Sequence, residues 1–396
     1  MIISDRMYAL GSARSVIREL FEYGNMRAAQ VGRQNIYDYS LGNPAVPSPG
    51  SVNETIKDIL DSQPSIAVHG YTSAQGDAGV RQAIADDLNK RFGTAFGRDD
   101  FYMTCGAAAS LAICLGALVT PECDEVIAIA PFFPEYGVFA GNAGAKLVVV
   151  PADTTAFQID FKALEAAIGP KTRAVIINSP NNPSGAVYSE ETIMKLALLL
   201  ARKSAETGHA IVLISDEPYR EIVYDGLEVP FVTKYYKNTL VCYSYSKSIS
   251  LPGERIGYVL VPQEVEDHDR VYAAVCGAGR SLGYVCAPSL MQKVVGRVTG
   301  QTSDIDEYRK NRDLLYGGLK EIGYECVKPQ GAFYLFLKIL GDDTEAFCER
   351  AKALDLLVVN GTGFGCPGYV RLAYCVDYDM IERSLPVFRK LYDSYK

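Results

Sequence analysis

Lys247 lies in the segment SYSKSISLPGERIGY (244–258), just past the apolar run TLVCYS (239–244) and flanked by Ser244, Ser246 and Ser248. A lysine on a solvated surface is only a cation. At the end of a buried strand its amine is desolvated, which lowers its pKa and makes it a nucleophile toward aldehydes. Arg255 follows eight residues later, past a Pro-Gly turn, where its planar fork suits a phosphate. Asp216 follows a second apolar run, AIVLIS (210–215), with Tyr219 three residues further on. A carboxylate in that place either caps a helix or meets a ligand as an acid. SPNNPSG (179–185) follows AVIIN (174–178); its asparagines either make an Asn-Pro turn or offer amide hydrogen bonds to a ligand. CGAAAS (105–110) leads into a helical stretch, and small residues at a helix start leave backbone N–H groups open to an anion.

Each feature has an ordinary structural explanation on its own. Together they supply an amine for a Schiff base, an acid, a phenol, amides and a phosphate cradle, a set that suits pyridoxal 5′-phosphate. Composition removes several alternatives. The three histidines, His69, His209 and His268, are far apart, so no HExxH zinc motif exists and no metal site is expected. A Ser-His-Asp hydrolase would depend on one of those three, so another group is expected to carry the proton traffic. GTGFGCPG (361–368) has Cys366 at a required glycine and precedes a strand, which makes it a poor dinucleotide fingerprint, and there is no Walker A sequence. A net charge of −8 and a pI near 5.2 disfavour an electrostatic nucleic-acid binder.

These residues need a scaffold that brings strand ends together. The runs VIAIA (126–130), KLVVV (146–150), AVIIN, AIVLIS, TLVCYS and IGYVLV (256–261) are continuous rather than alternating, as in strands buried on both faces of a mainly parallel sheet. Helical stretches at 106–119 and 189–206 separate some of them, which argues for an α/β layered fold with ligands at the C-terminal strand ends. Beyond residue 285, helical patterns at 287–299, 303–322 and 343–354 mix with strands at 334–339 and 369–375, the texture of a smaller α+β domain. The expected division is an N-terminal segment, 1–45, packing with that small domain; a large domain, 46–284; and the small domain, 285–396. The N-terminal segment contains a helix at 16–31. The start MIISDRMYAL lacks a signal-peptide pattern and no apolar run reaches about 18 residues, so a cytoplasmic protein is expected, its ten cysteines mostly buried and reduced.

In these motifs the chain resembles the class I/II aminotransferases of PLP fold type I, and the likeness runs nearly its whole length. LGNP (41–44), GYTSAQGDAGVRQAI (70–84), CGAAASL (105–111), PFFPEY (131–136), SPNNPSG, SDEPY (215–219), SYSKSISLPGERIGY, PQGAFYLF (329–336) and YVRLAY (369–374) occur in the family's order. The resemblance implies a large domain with a mainly parallel seven-stranded sheet between helices, plus a smaller α+β domain. It implies that Lys247 forms the Schiff base and then shuttles the proton, and that Asp216 pairs with the pyridine nitrogen. Tyr219 and Asn182 reach the cofactor's O3′. Ser244, Ser246 and Arg255 bind the phosphate together with the backbone at Gly106, Ala107 and Ala108, and Phe133 stacks on the ring. Tyr71 serves the neighbouring subunit's phosphate, which implies a homodimer. Arg371 grips the substrate α-carboxylate, with Gly42 touching it through its backbone.

Two positions depart from the family pattern. Ala108 stands where many relatives carry a polar side chain, which leaves backbone donors there. Phe133 stands where relatives carry Trp or Tyr, which keeps stacking without a polar edge. The implied reaction is ping-pong transamination between an L-amino acid and a 2-oxo acid. Arg280, in GAGRSLGY, is expected to bind a distal carboxylate from the partner chain, as for aspartate and 2-oxoglutarate, or else to be a structural arginine at the domain junction. Two other readings stay open: a β-eliminating C–S lyase using the same Lys247, Asp216 and Arg371, and a non-catalytic PLP-binding regulatory module.

Overall fold

A computed structural model describes residues 2–12 and 16–396. Its central sheet has seven strands in the spatial order Phe101–Thr104, Gly257–Leu260, Thr239–Ser244, Val212–Asp216, Thr172–Asn178, Glu125–Ile129 and Lys146–Val150. Only Gly257–Leu260 runs antiparallel to its neighbours. The other five from Thr239–Ser244 outward pair in parallel.

The continuous apolar runs are explained by burial on both faces. Ala128, Ile176, Ile214 and Cys242 pack into one apolar cluster with the helices Ala107–Leu118 and His268–Ser281. Their neighbours Ile127, Val175 and Leu213 pack on the opposite face against Leu196 and Leu200 of the helix Glu190–Thr207. Val241, Tyr258 and Leu260 pack on that opposite face too, against Ile59, Ile84 and Val294. Local signals set the helix ends: Ser189 accepts from the Thr192 N–H at the start of Glu190–Thr207.

The strand Phe101–Thr104 was not among the sequence expectations. At four residues it is too short for a periodic signal, and pairing with Gly257–Leu260 is what makes it a strand. The helix Ser289–Val298 also differs from expectation. It buries Met291, Val294, Val295 and Val298 against Val52, Ile59 and Ile84 of the large body. We therefore propose that the small domain begins near the helix Ile305–Ile322, whose Tyr308, Leu315 and Leu319 join a separate cluster. The texture change near 285 falls one helix earlier.

The small domain holds a three-stranded antiparallel sheet in the order Val359–Asn360, Tyr369–Ala373, Tyr334–Lys338. The N-terminal segment joins it. Tyr37 and Asp38 pair in parallel with Leu356 and Leu357, Tyr39 is fully buried in the same cluster, and Arg27 bonds Asp355 at 2.8 Å. All ten cysteines are free; four are buried, five intermediate, and Cys123 is exposed, which corrects the expectation that most would be buried. Among the described residues no helix is long and apolar enough to cross a membrane.

Candidate active site

The C-terminal ends of the parallel strands meet along one edge of the sheet, and the antiparallel strand brings its N-terminal end to the same edge. That is how Arg255, just before Gly257, reaches Ser246, just after Thr239–Ser244, with Nη1 3.3 Å from the serine Oγ. The Ser244 Oγ donates to Ser246 Oγ at 2.6 Å and accepts from the Ser246 N–H at 3.1 Å, which fixes the turn that carries Lys247. Gly106, in the left-handed region at φ 92°, begins the helix Ala107–Leu118, and a Cβ there would lie 2.9 Å from Arg255 Nη2. Arg255 itself has φ 52°, a conformation uncommon outside glycine.

Ser244, Ser246, Lys247, Arg255 and the helix start at Ala107 and Ala108 line a cavity of about 170 Å³ together with Phe133, Asn182, Asp216 and Tyr219. Lys247 is partly buried, and its Nζ donates to the Gly42 carbonyl at 2.7 Å. Burial, with smaller contributions from Arg255 and Arg371, lowers its pKa to about 8. Asp216 ends its strand at 4% exposure, and burial raises its pKa to about 7. It is no helix cap: its Oδ2 accepts from the Tyr136 hydroxyl at 2.6 Å. Its Oδ1 is buried without a hydrogen-bond partner among the described residues.

The asparagines after AVIIN are not a bare turn either. Asn178 donates to the Asp216 carbonyl at 2.8 Å and accepts from the Asn182 N–H at 2.7 Å. The Asn182 side-chain oxygen then accepts from Arg371 Nη1 at 3.1 Å. Arg371 comes from the small domain at 2% exposure, and its Nη2 donates to the Ser40 carbonyl at 2.6 Å. Its guanidinium lies over Tyr334 at 4.7 Å and Phe364 at 5.1 Å, while its Nε has no partner among the described residues. Tyr219 shares a hydrogen bond with Tyr334 at 3.0 Å, and burial raises its pKa well above 10.

The structure thus gathers Gly42, Ala107, Ala108, Phe133, Asn182, Asp216, Tyr219, Ser244, Ser246, Lys247, Arg255 and Arg371 around one cleft, with Gly106 beneath Arg255. Tyr71, 88% exposed, and Arg280, exposed on the helix His268–Ser281, are not part of the cavity wall of this chain. Three participants escaped the sequence reading: Tyr136, Asn178 and Tyr334. Tyr136 carried a weaker signal, three residues past Phe133, whose carbonyl accepts from the Tyr136 N–H at 3.0 Å in the turn leading into the helix Glu135–Ala143. Asn178 and Tyr334 read as ordinary strand residues until the sheet placed them.

The chain matches the family Aminotransferase class I and II over residues 34–387. It belongs to that family. Among curated relatives, an aromatic-amino-acid aminotransferase 2 from Thermococcus litoralis is 28% identical over 100% of both chains. An aspartate/prephenate aminotransferase from Thermus thermophilus is 29% identical over 93% of this chain and 94% of its own. A solved amino transferase structure from Eubacterium rectale is 64% identical over 100% of both chains, with a TM-score of 0.99.

Class I and II aminotransferases use pyridoxal 5′-phosphate, and the residues present fit that group. Asp216 Oδ1 is an orphaned buried acceptor, as a protonated ring nitrogen requires. Two hydroxyls, a guanidinium and the start of the helix Ala107–Leu118 form an anion cradle whose space a Cβ on Gly106 would invade.

Proposed function

We propose that the chain transfers an amino group between an L-amino acid and a 2-oxo acid in two half-reactions, with pyridoxal 5′-phosphate held at Lys247. The observation that carries this reading is one cavity lined by a desolvated lysine, a buried carboxylate with a free oxygen, and an anion cradle. When bound, the cofactor supplies an aldehyde to take the amino group and a ring to withdraw electrons from the substrate Cα.

The chain's residues do the rest. With a pKa near 8, Lys247 has a usable neutral fraction at neutral pH. Its Nζ takes the substrate Cα proton as a base and returns a proton as an ammonium acid. Arg371 receives the substrate α-carboxylate through its fork, held flat by Tyr334 and Phe364 and steered by Asn182. Asp216 Oδ1 accepts from the ring N–H, Tyr219 and Asn182 bond the ring hydroxyl, and Phe133 covers a ring face. Ser244, Ser246, Arg255 and the amides at Gly106, Ala107 and Ala108 hold the phosphate. A second cavity of about 550 Å³ lies on the other side of Phe133, walled by Ile17, Leu20, Tyr23 and Phe364 and by Glu19, Glu135, Glu345 and Glu349.

The same proposal includes a homodimer in which Tyr71 completes the neighbouring subunit's phosphate site. Arg280 from a neighbouring subunit meets the distal carboxylate of an acidic substrate such as aspartate. A cytoplasmic setting suits the ten free thiols.

The test is Lys247→Ala, assayed for 2-oxo acid formation from a panel of amino acids. Turnover should fall by at least about a thousandfold, as expected when a general base and covalent anchor is removed. Full activity in the variant would overturn the assignment. Pyruvate and ammonia released from cystathionine without an acceptor oxo acid would mark a C–S lyase instead.

A further inference from the structure

Tyr136 lies at the start of the helix Glu135–Ala143 and is 1% exposed. Its hydroxyl donates to Asp216 Oδ2 at 2.6 Å, and no other hydrogen bond from the described residues reaches that carboxylate. The Asp216 backbone is fixed separately. It sits in register between Asn178 and Cys242 of the flanking strands, and its carbonyl accepts from Asn178. The backbone therefore sets where Asp216 is, and Tyr136 alone sets how its carboxylate is turned. The Tyr136 ring also meets the Phe133 ring edge to face, with centroids 5.8 Å apart at 85°. The hydroxyl on the acid and the aromatic ring of the cavity wall thus belong to one packed unit.

We propose that Tyr136 is a positioning residue for Asp216, occupying Oδ2 so that Oδ1 alone faces the cofactor's ring N–H as an ionised acceptor. The inference rests on the cofactor reading above. A buried carboxylate without a donor goes neutral, and a neutral acid no longer draws a proton onto the ring nitrogen. The groups around Asp216 give little other help. Glu217 adds a like charge, Tyr219 and the Cys242 thiol are held protonated by burial, and Lys247 stands across the same cavity bonded to Gly42. Among the described residues Tyr136 is the one donor on the carboxylate itself.

The test separates this role from simple packing. Full-length protein stripped of cofactor is titrated with pyridoxamine 5′-phosphate, which binds without a covalent bond, and with its analogue carrying C–H in place of the ring nitrogen. Tyr136→Phe should weaken the first about tenfold or more, the loss expected for a charge-assisted hydrogen bond, and the second less than about twofold. Equal losses on both ligands would mean that Tyr136 only shapes the cavity, and no loss on either would mean that it does nothing for Asp216; each result overturns the proposal. In an Asp216→Asn background, adding Tyr136→Phe should change neither affinity further, because the charge it serves is gone. That double variant leaves no unpaired buried charge and keeps the comparison readable if the single variant unfolds; additive losses there would refute the coupling. Wild-type protein that binds neither ligand would overturn the cofactor reading and this inference together.

Discussion

Asp216 shows how a single residue can be tuned by its surroundings. An aspartate in an unfolded chain ionises near pH 4. In the fold, burial holds the carboxyl neutral up to about pH 7, despite the donor from Tyr136. Between those values this carboxyl binds more proton in the folded protein than in the unfolded one, so its own contribution to stability falls as pH rises. Urea unfolding of the cofactor-free protein and of Asp216→Asn at pH 4.5 and pH 7 isolates that contribution from those of the other carboxyls. Asp216→Asn has no proton to lose, so from pH 4.5 to pH 7 it should gain on the wild type by on the order of a few kcal/mol. An identical pH slope in both proteins would mean that Asp216 is not held neutral. Lys247, with its pKa lowered to about 8, changes stability only above that pH and does not confuse the comparison. At this scale the sequence was informative for the groups proposed to meet a ligand. It was blind to Asn178 and Tyr334, whose roles depend on partners distant in the chain.

At the scale of elements, the site depends on how closely strand ends approach. The antiparallel strand Gly257–Leu260 can lie beside Thr239–Ser244 only because its first residue has no side chain. A Cβ on Gly257 would run into the Tyr243 carbonyl and come within 3.0 Å of the Gly106 Cα and 3.2 Å of the Ser244 Cα. Gly257→Ala should therefore cost about 2–3 kcal/mol by denaturant unfolding, the range for overpacking a tight site. It should also weaken pyridoxamine 5′-phosphate binding, because Gly106 and Ser244 are pushed away from Arg255. Unchanged stability and affinity would show that this approach is not required. The long apolar strands and the amphipathic helices were legible, since burial on two faces or one leaves a period in the sequence. The strand Phe101–Thr104 and the allegiance of the helix Ser289–Val298 were not, because contacts with distant segments decide both.

At the scale of the whole molecule, the site joins distant parts of the chain. In the proposed division Arg371 comes from the small domain, Lys247 from the large one, and Gly42 and Ser40 from the N-terminal segment. The proposed homodimer, in which the exposed Tyr71 and Arg280 serve a neighbouring subunit's site, is tested by subunit mixing. In a dimer of Tyr71→Ala with Lys247→Ala, one of the two sites has every residue intact if Tyr71 crosses the interface. An equal, fully exchanged mixture should then recover about one quarter of wild-type activity, while each variant alone is poorly active. No recovery would place Tyr71 in its own subunit's site or in none. Mixing Arg280→Ala with Lys247→Ala, assayed on aspartate and on a neutral amino acid, applies the same logic. Recovery on aspartate alone is expected of a residue that meets a distal carboxylate.

The sequence by itself pointed to the proposed chemistry: the lysine, acid, phenol, amides and proposed phosphate ligands are residue types at strand and helix ends, and local patterns mark such ends. It also determined the layered α/β class, because strands buried on both faces read as continuous apolar runs. Only the tertiary structure decided which oxygen of Asp216 is free, which hydroxyl holds the other, and how Asn178 and Asn182 link that acid to Arg371. Those are contacts between residues up to 189 positions apart, and their geometry exists only once the sheet and the small domain have closed on each other.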